Sequence, residues 1–190
     1  MVSWVWLFLD LPDGPRDDPT TSEVEVALEF WCAVTGSTAS PWRGAHGEFT
    51  TLQPAQGDPW VKVQRVGGPG GMHLDLDVDE PLTDAAARAV DLGATVAARS
   101  DDVVVCASPG GLSFCLTPAR RDGGPRQQAG RNGDRLLDQV CLDIPDDRYD
   151  TEVDFWARFT GWGVDPGRVR GGSRHCVTDR VPGQDPVSRW

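Results

Sequence analysis

Apolar and polar positions follow two periods along the first 118 residues. Val2–Leu11 is a run of β-branched, aliphatic and aromatic residues with a period of two, which predicts a strand. Pro12–Thr21, rich in Pro, Asp and Gly, is a loop. Val24, Ala27, Leu28, Trp31 and Val34 recur at spacings of three and four and predict a helix, with Ser22 as its cap and Gly36 as its stop. Gly47–Gln53 and Trp60–Val66 predict two strands around a turn. A second round begins at Met72–Val78, again an alternating strand. Pro81 opens a helix running to about Leu92, with Gly93 beyond its end. Short strands follow near Thr95–Ala98, Val103–Ala107 and Leu112–Leu116, with Ser108-Pro109-Gly110-Gly111 as the last turn. Each round therefore reads as strand, helix, then several strands.

Residues 119–135 break this pattern: five Arg, four Gly and one Pro, with no apolar periodicity, predict a linker. After it the chain repeats itself. Leu9-Asp10-Leu11-Pro12 returns as Leu142-Asp143-Ile144-Pro145, and Phe30-Trp31 with Thr35-Gly36 as Phe155-Trp156 with Thr160-Gly161. Cys115-Leu116-Thr117 returns as Cys176-Val177-Thr178, at an offset of 61 rather than 125, so the second copy lacks 64 residues between helix and closing strand. The expected layout is a complete module at 1–118, a linker at 119–135 and a shortened copy at 136–190. That copy should hold a strand at Leu137–Ile144, a helix at about Tyr149–Thr160 and a closing strand around His175–Thr178. About 55 residues cannot close a core, so the copy should dock on the first module or on another subunit through Val153, Phe155, Trp156 and Phe159. The first module, having both rounds, is expected to fold by itself.

Composition narrows the function classes. A net charge of −11 opposes phosphate backbones and anionic membranes, so neither nucleic acid nor membrane is an expected partner. Among 18 basic residues Lys62 is the one lysine. Five cysteines without framework spacing read as small apolar residues of a reducing, cytoplasmic compartment, and no C-x-x-C pair suggests zinc. The apolar N-terminus lacks a basic region and a cleavage site, and is too short to span a bilayer.

The strand–helix–multistrand unit, used twice, resembles the glyoxalase/bleomycin-resistance/extradiol dioxygenase group, the vicinal oxygen chelate superfamily. The residues that carry the resemblance are Trp6–Pro12, Glu29-Phe30-Trp31 with Thr35-Gly36, His73-Leu74-Asp75-Leu76, Leu92-Gly93-Ala94, Ser108-Pro109-Gly110-Gly111 and Phe114-Cys115-Leu116. It implies an α+β fold of paired βαβββ units, with a curled mixed sheet around a cleft and helices outside. It also implies metal ligands at three positions, approximately Trp6, His73 and Cys115 here. The family pattern there is His or Gln, His, and Glu, and only His73 matches. Indole offers a metal no lone pair, and a thiol replaces a hard carboxylate. In the shortened copy the first and last positions are Gln139 and Cys176.

Alternation places candidate chemistry on that scaffold. Trp4, Trp6, Phe8 and Asp10 share one face of the first strand, opposite Val5, Leu7, Leu9 and Leu11. Their rings either fill the cleft, pack on the second module, or form a stacking wall for a ligand. His73, Asp75, Asp77 and Asp79 share a face opposite Leu74, Leu76 and Val78. Asp75 is the expected hydrogen-bond partner of His73, which is the candidate catalytic base. Glu48 and Thr50 are placed facing inward with them; Cys115 reads as inert. Two functions follow. One is a metal-free module binding a small, flat, neutral or cationic molecule through Trp4, Trp6, Phe8, Glu48, His73, Asp75 and Cys115, with no cofactor and with a homodimer as one possible assembly. The other is a divalent-metal-dependent lyase, isomerase or dioxygenase.

Overall fold

The computed structural model describes residues 1–13, 23–119, 131–132, 135–136, 140–165 and 176–177. Eight strands form a mixed sheet in the order β2-β3-β4-β1-β5-β8-β7-β6. They are β1 (Val2–Pro12), β2 (Thr38–Ala39), β3 (Phe49–Gln53), β4 (Val61–Val66), β5 (Gly71–Val78), β6 (Thr95–Arg99), β7 (Val104–Ala107) and β8 (Ser113–Pro118). Helix α1 (Glu23–Thr35) lies between β1 and β2 in the chain, and α2 (Leu82–Asp91) between β5 and β6. Strands β1-β4-β3-β2 and β5-β8-β7-β6 follow the same order, so the two rounds read from the sequence are paired βαβββ units. Every strand and helix expected before residue 118 is present within a few residues of its expected bounds. Only β2 escaped the pattern; two residues are too short to carry a period.

The chain divides into two compact units. One holds residues 6–74. In it β1 runs parallel to β4, with Phe8 opposite Lys62 and Asp10 opposite Gln64, and β4 is antiparallel to β3. Val24 and Leu28 bury the inner stripe of α1. Val34, the last of the periodic positions, is exposed, and with Val26 and Phe30 it forms an outward apolar stripe. The helical spacing was read correctly, but two apolar stripes lie side by side on α1 and only one is covered.

The other unit includes residues 1–5, 75–118 and the described part of 140–177. Its core sits on β7 and β8, whose Val104, Cys106, Phe114 and Leu116 are buried with Ala85, Ala86 and Ala89 of α2. A third helix, α3 (Tyr149–Thr160), follows a short 3-10 turn at Asp146–Arg148. Phe155, Trp156 and Phe159 surround Phe114, with ring centroids at 5.8, 5.3 and 5.9 Å. The expected docking of this segment is thus observed through three of the four residues named for it; Val153 is half-buried. Glu152, 2% exposed, accepts from the Ser108 hydroxyl at 2.5 Å, the Gly110 amide at 2.5 Å and the Trp156 indole at 2.8 Å. A buried carboxylate is tolerated here because three donors replace its water.

The expected strand at Leu137–Ile144 is not formed at Val140–Ile144, which is irregular. At the end of the expected linker, β9 (Arg131–Asn132) and β10 (Arg135–Leu136) form a short antiparallel pair that runs one residue past it. Cys176–Val177 forms β12, paired with β11 (Val164–Asp165). Ser22, His175, Thr178 and Gln139 lie outside the described residues. No helix among the described residues is long and apolar enough to cross a membrane.

Candidate functional site

In the unit of residues 6–74, one cluster joins aromatic rings to charged groups. Period-two alternation puts Trp6, Phe8 and Asp10 on one face of β1, and the parallel register brings Lys62 of β4 beside Phe8. The Lys62 ammonium lies 4.0 Å from the Trp6 ring centroid and 4.9 Å from that of Phe8. Each ring face is electron-rich and attracts the cation. Phe8 also stacks on the His73 imidazole, with centroids 4.7 Å apart and planes 17° from parallel, and meets Phe49 edge-on at 6.3 Å. Trp6 and Phe8 are buried, at 5% and 4% exposure, so both lie within the packed interior. Lys62, His73 and Asp10 are half-buried and form the polar side of the cluster.

His73 Nδ1 stands 2.7 Å from Asp10 Oδ2. A carboxylate only accepts, so Nδ1 donates, and the neutral imidazole then carries its basic lone pair on Nε2. The carboxylate on Nδ1 is therefore Asp10 from β1, where the sequence pointed to Asp75. Asp10 was visible as the fourth member of the aromatic face. Its pairing was hidden because two strands 63 residues apart had to be brought together. The other oxygen of Asp10, Oδ1, is buried and has no hydrogen-bond partner among the described residues.

Glu48 is engaged in its own turn. Its carboxylate accepts the His46 backbone amide at 2.7 Å, and that bond holds its pKa below the ordinary carboxylate value. Gly44, at φ 98°, leaves room for it, since a Cβ there would meet the Glu48 carboxyl carbon at 2.5 Å. Thr50 is buried and donates to the Ser40 carbonyl at 2.7 Å. His46 is exposed.

The remaining expected site residues belong to the other unit. Trp4 is buried. Asp75 and Cys115 are half-buried, and a carboxylate oxygen of the first lies within 4.8 Å of the thiol sulfur of the second. Asp77 is buried, with its carboxylate accepting the Thr117 hydroxyl at 2.8 Å, while Asp79 is exposed. Burial pushes the Cys32 and Cys106 thiols up. Those two are packing residues rather than nucleophiles.

Of the three positions that the resemblance implies as metal ligands, Trp6 carries no donor atom for a metal.

Residues 17–117 match a family described as "Glyoxalase-like domain". No curated protein matches the sequence. Among solved structures, the Mn(II)-bound glyoxalase from Novosphingobium aromaticivorans is similar at 15% identity and a TM-score of 0.54, covering 86% of this chain and 54% of that one. The halotolerant catechol dioxygenase BphC is similar at 12% identity and a TM-score of 0.54, covering 86% and 56%. The 2,2',3-trihydroxybiphenyl 1,2-dioxygenase from the dibenzofuran-degrading Sphingomonas wittichii strain RW1 gives 16% identity and a TM-score of 0.56, covering 86% and 58%. At such identities the likeness is one of fold, and the chain spans just over half the length of these proteins. Paired βαβββ units and a family match across more than half the sequence place this chain in the glyoxalase-like domain family of the vicinal oxygen chelate superfamily.

Proposed function

We propose that the chain is a small-molecule binding module that works without a metal, using the cluster built from Trp6, Phe8, Asp10, Lys62 and His73. The observation that carries this reading is the Lys62 ammonium 4.0 Å from the Trp6 ring. Trp6 stands where the resemblance would put the first metal ligand, and a fixed positive charge beside it opposes a divalent cation. His73 is oriented by Asp10 without help from a metal. Phe8 and Phe49 give the site a rigid apolar floor.

The metal-dependent reading, a lyase, isomerase or dioxygenase, is favoured by one feature. Asp75, within 4.8 Å of Cys115, restores a carboxylate to a position that had lost one. The Nδ1 bond of His73 to Asp10 is also the kind of outer support that metal-binding histidines receive.

Metal analysis of protein purified without chelator separates the two. The binding reading expects no stoichiometric manganese, iron, nickel or zinc, and a thermal shift with flat organic ligands. It also expects Trp6→Ala to weaken such binding by about 1 kcal/mol or more. Near-stoichiometric metal whose removal abolishes a turnover, with His73→Ala doing the same, establishes the enzyme instead.

A further inference from the structure

Asp10 is met twice from one short stretch of chain. Its carboxylate Oδ2 is 2.7 Å from His73 Nδ1, and its backbone carbonyl faces Gly70. A Cβ on Gly70 would lie 2.7 Å from that carbonyl oxygen, and 2.8 and 3.1 Å from Cδ and Cγ of the Pro12 ring. Carbon and carbonyl oxygen ordinarily come no nearer than about 3.3 Å. The obstacles are a backbone atom and a closed ring, and neither can swing aside. Gly70 stands in the Gly-Gly-Pro-Gly-Gly run that leads into β5, yet a Cβ on Gly67, Gly68 or Gly71 would meet nothing within 4 Å. The close approach therefore belongs to one position and not to the run as a whole.

The sheet decides which side would give way. Asp10, Leu11 and Pro12 are paired with Gln64, Arg65 and Val66 of β4, and the Asp13 amide donates to the Val66 carbonyl at 2.8 Å. This end of β1 is held by its ladder, so a side chain at position 70 would displace the start of β5, which carries His73. Relief of the carbonyl contact takes about 0.6 Å. A hydrogen bond of 2.7 Å stretched by that much passes the usual limit of about 3.2 Å. The imidazole cannot recover the bond by turning, because Phe8 of β1 stacks on it with planes 17° apart.

We propose that Gly70 is a positioning residue of the candidate site: the absence of its side chain sets the spacing of β1 and β5 at which Asp10 accepts from His73 Nδ1, and so fixes which ring nitrogen carries the lone pair. Its place in a site rests on the binding-module reading. Its effect on His73 does not, and is read without a ligand.

The tautomer of His73 tests it. Long-range proton–nitrogen correlation spectra of the full chain are compared for wild type, Gly70→Ala, Gly71→Ala and Asp10→Ala, at alkaline pH where the imidazole is neutral. Gly71→Ala should keep the wild-type pattern, with the proton on Nδ1. Gly70→Ala should lose it, with both ring nitrogens moving towards their positions in Asp10→Ala, although carboxylate and imidazole are both still present. A residue serving only the fold would lower the melting temperature and leave the tautomer unchanged. A folded Gly70→Ala with the wild-type pattern therefore overturns the inference, as does a Gly71→Ala that loses the pattern equally, or a wild-type ring without the preference. Where Gly70→Ala alone does not fold, its combination with Pro12→Ala removes the two ring contacts and keeps the carbonyl contact, and the same loss is expected. If neither folds, Gly70 serves the fold as a whole and the inference falls. Failure of flat ligands to shift the melting temperature would sink the binding reading and leave the Gly70 result standing.

Discussion

Phe155 meets Trp156 edge to face, with ring centroids 5.1 Å apart and planes at 80°, and Phe30 meets Trp31 in the same way at 5.4 Å and 79°. The likeness extends to the helix ends. The Thr35 hydroxyl donates to the Trp31 carbonyl at 2.7 Å, and that of Thr160 to the Trp156 carbonyl at 2.6 Å. Gly36 and Gly161 then turn the chain at φ 70° and 77°, a conformation that glycine adopts without strain. The repeated Phe-Trp-x-x-x-Thr-Gly segment writes the same local structure twice. The surroundings differ. Phe155 is 1% exposed against Phe114, whereas Phe30 is 58% exposed. Substituting Phe155 by Ala should therefore cost about 3–5 kcal/mol in chemical denaturation, and Phe30→Ala less than about 1. Equal losses at both positions would mean that Phe30 is covered in solution.

Periodicity and turn residues made seven of the eight sheet strands and the three α-helices legible, because each of these is long enough to show its period or is bounded by Pro and Gly. The aromatic face of β1 was legible for the same reason. What the sequence withheld depends on pairing across the sheet. Lys62 could not be placed on Trp6 and Phe8 before the parallel β1–β4 register was known, and Asp10 could not be chosen over Asp75 as the partner of His73. The boundary at 118 was drawn from linker composition, which is blind to α3 returning to cover Phe114. Glu152 was missed altogether: its sequence neighbourhood is an ordinary acidic helix start, and its three donors come from the β7–β8 turn and from its own helix.

Deleting residues 140–190 should accordingly destabilise what remains. Phe114 would lose its cover of Phe155, Trp156 and Phe159, three aromatic side chains each contributing of order 2–3 kcal/mol by burial. The shortened chain is expected to melt at a lower temperature than the full chain or to bind a hydrophobic dye. An unchanged melting temperature would bear out residues 1–118 as an independent folding unit.

Glu152→Ala should be among the more costly single substitutions, at about 3 kcal/mol or more in urea unfolding. It orphans the Ser108 hydroxyl, the Gly110 amide and the Trp156 indole at once. Glu152→Gln keeps the volume and should cost less, since one amide oxygen still accepts while its NH2 faces donors. Gly110→Ala should also destabilise, because its Cβ would fall 2.7 Å from a Glu152 oxygen. If Glu152→Ala unfolds at the wild-type midpoint, the carboxylate is not the anchor of α3.

Arg88 of α2 offers a pH-dependent test of the same packing. Its guanidinium donates to the Phe159 carbonyl at the end of α3 and to Glu80, both at 2.6 Å, and covers the Phe159 ring at 4.2 Å. The hydrogen bond from Arg88 is the largest cause holding the Glu80 carboxyl below its ordinary value. A depressed folded-state pKa stabilises the fold fully above the unfolded value, near 4.3, and that stabilisation is lost as pH falls through the folded one. Arg88→Met should lower stability at neutral pH and flatten this part of the acid limb. A parallel acid limb in the variant would separate Glu80 from Arg88.

The tautomer of His73 is the most direct test of the site. Asp10 accepts from Nδ1 at 2.7 Å, and the stacked Phe8 ring fixes the imidazole plane, so the proton of the neutral ring should sit on Nδ1 and the lone pair on Nε2. With three histidines in the chain, long-range proton–nitrogen correlation spectra are simple to assign. The His73 pattern should show a protonated Nδ1 and a pyridine-like Nε2. Asp10→Ala removes the acceptor while leaving Phe8 in place, so the ring should stay ordered but lose its tautomeric preference. Both outcomes matter for binding, because an imidazole presenting Nε2 as an acceptor suits a ligand N–H or O–H, and the opposite tautomer suits a ligand oxygen. A wild-type spectrum with the proton on Nε2 would place the Asp10–His73 contact outside the hydrogen-bond role argued for it, and would remove the orienting half of the proposed site.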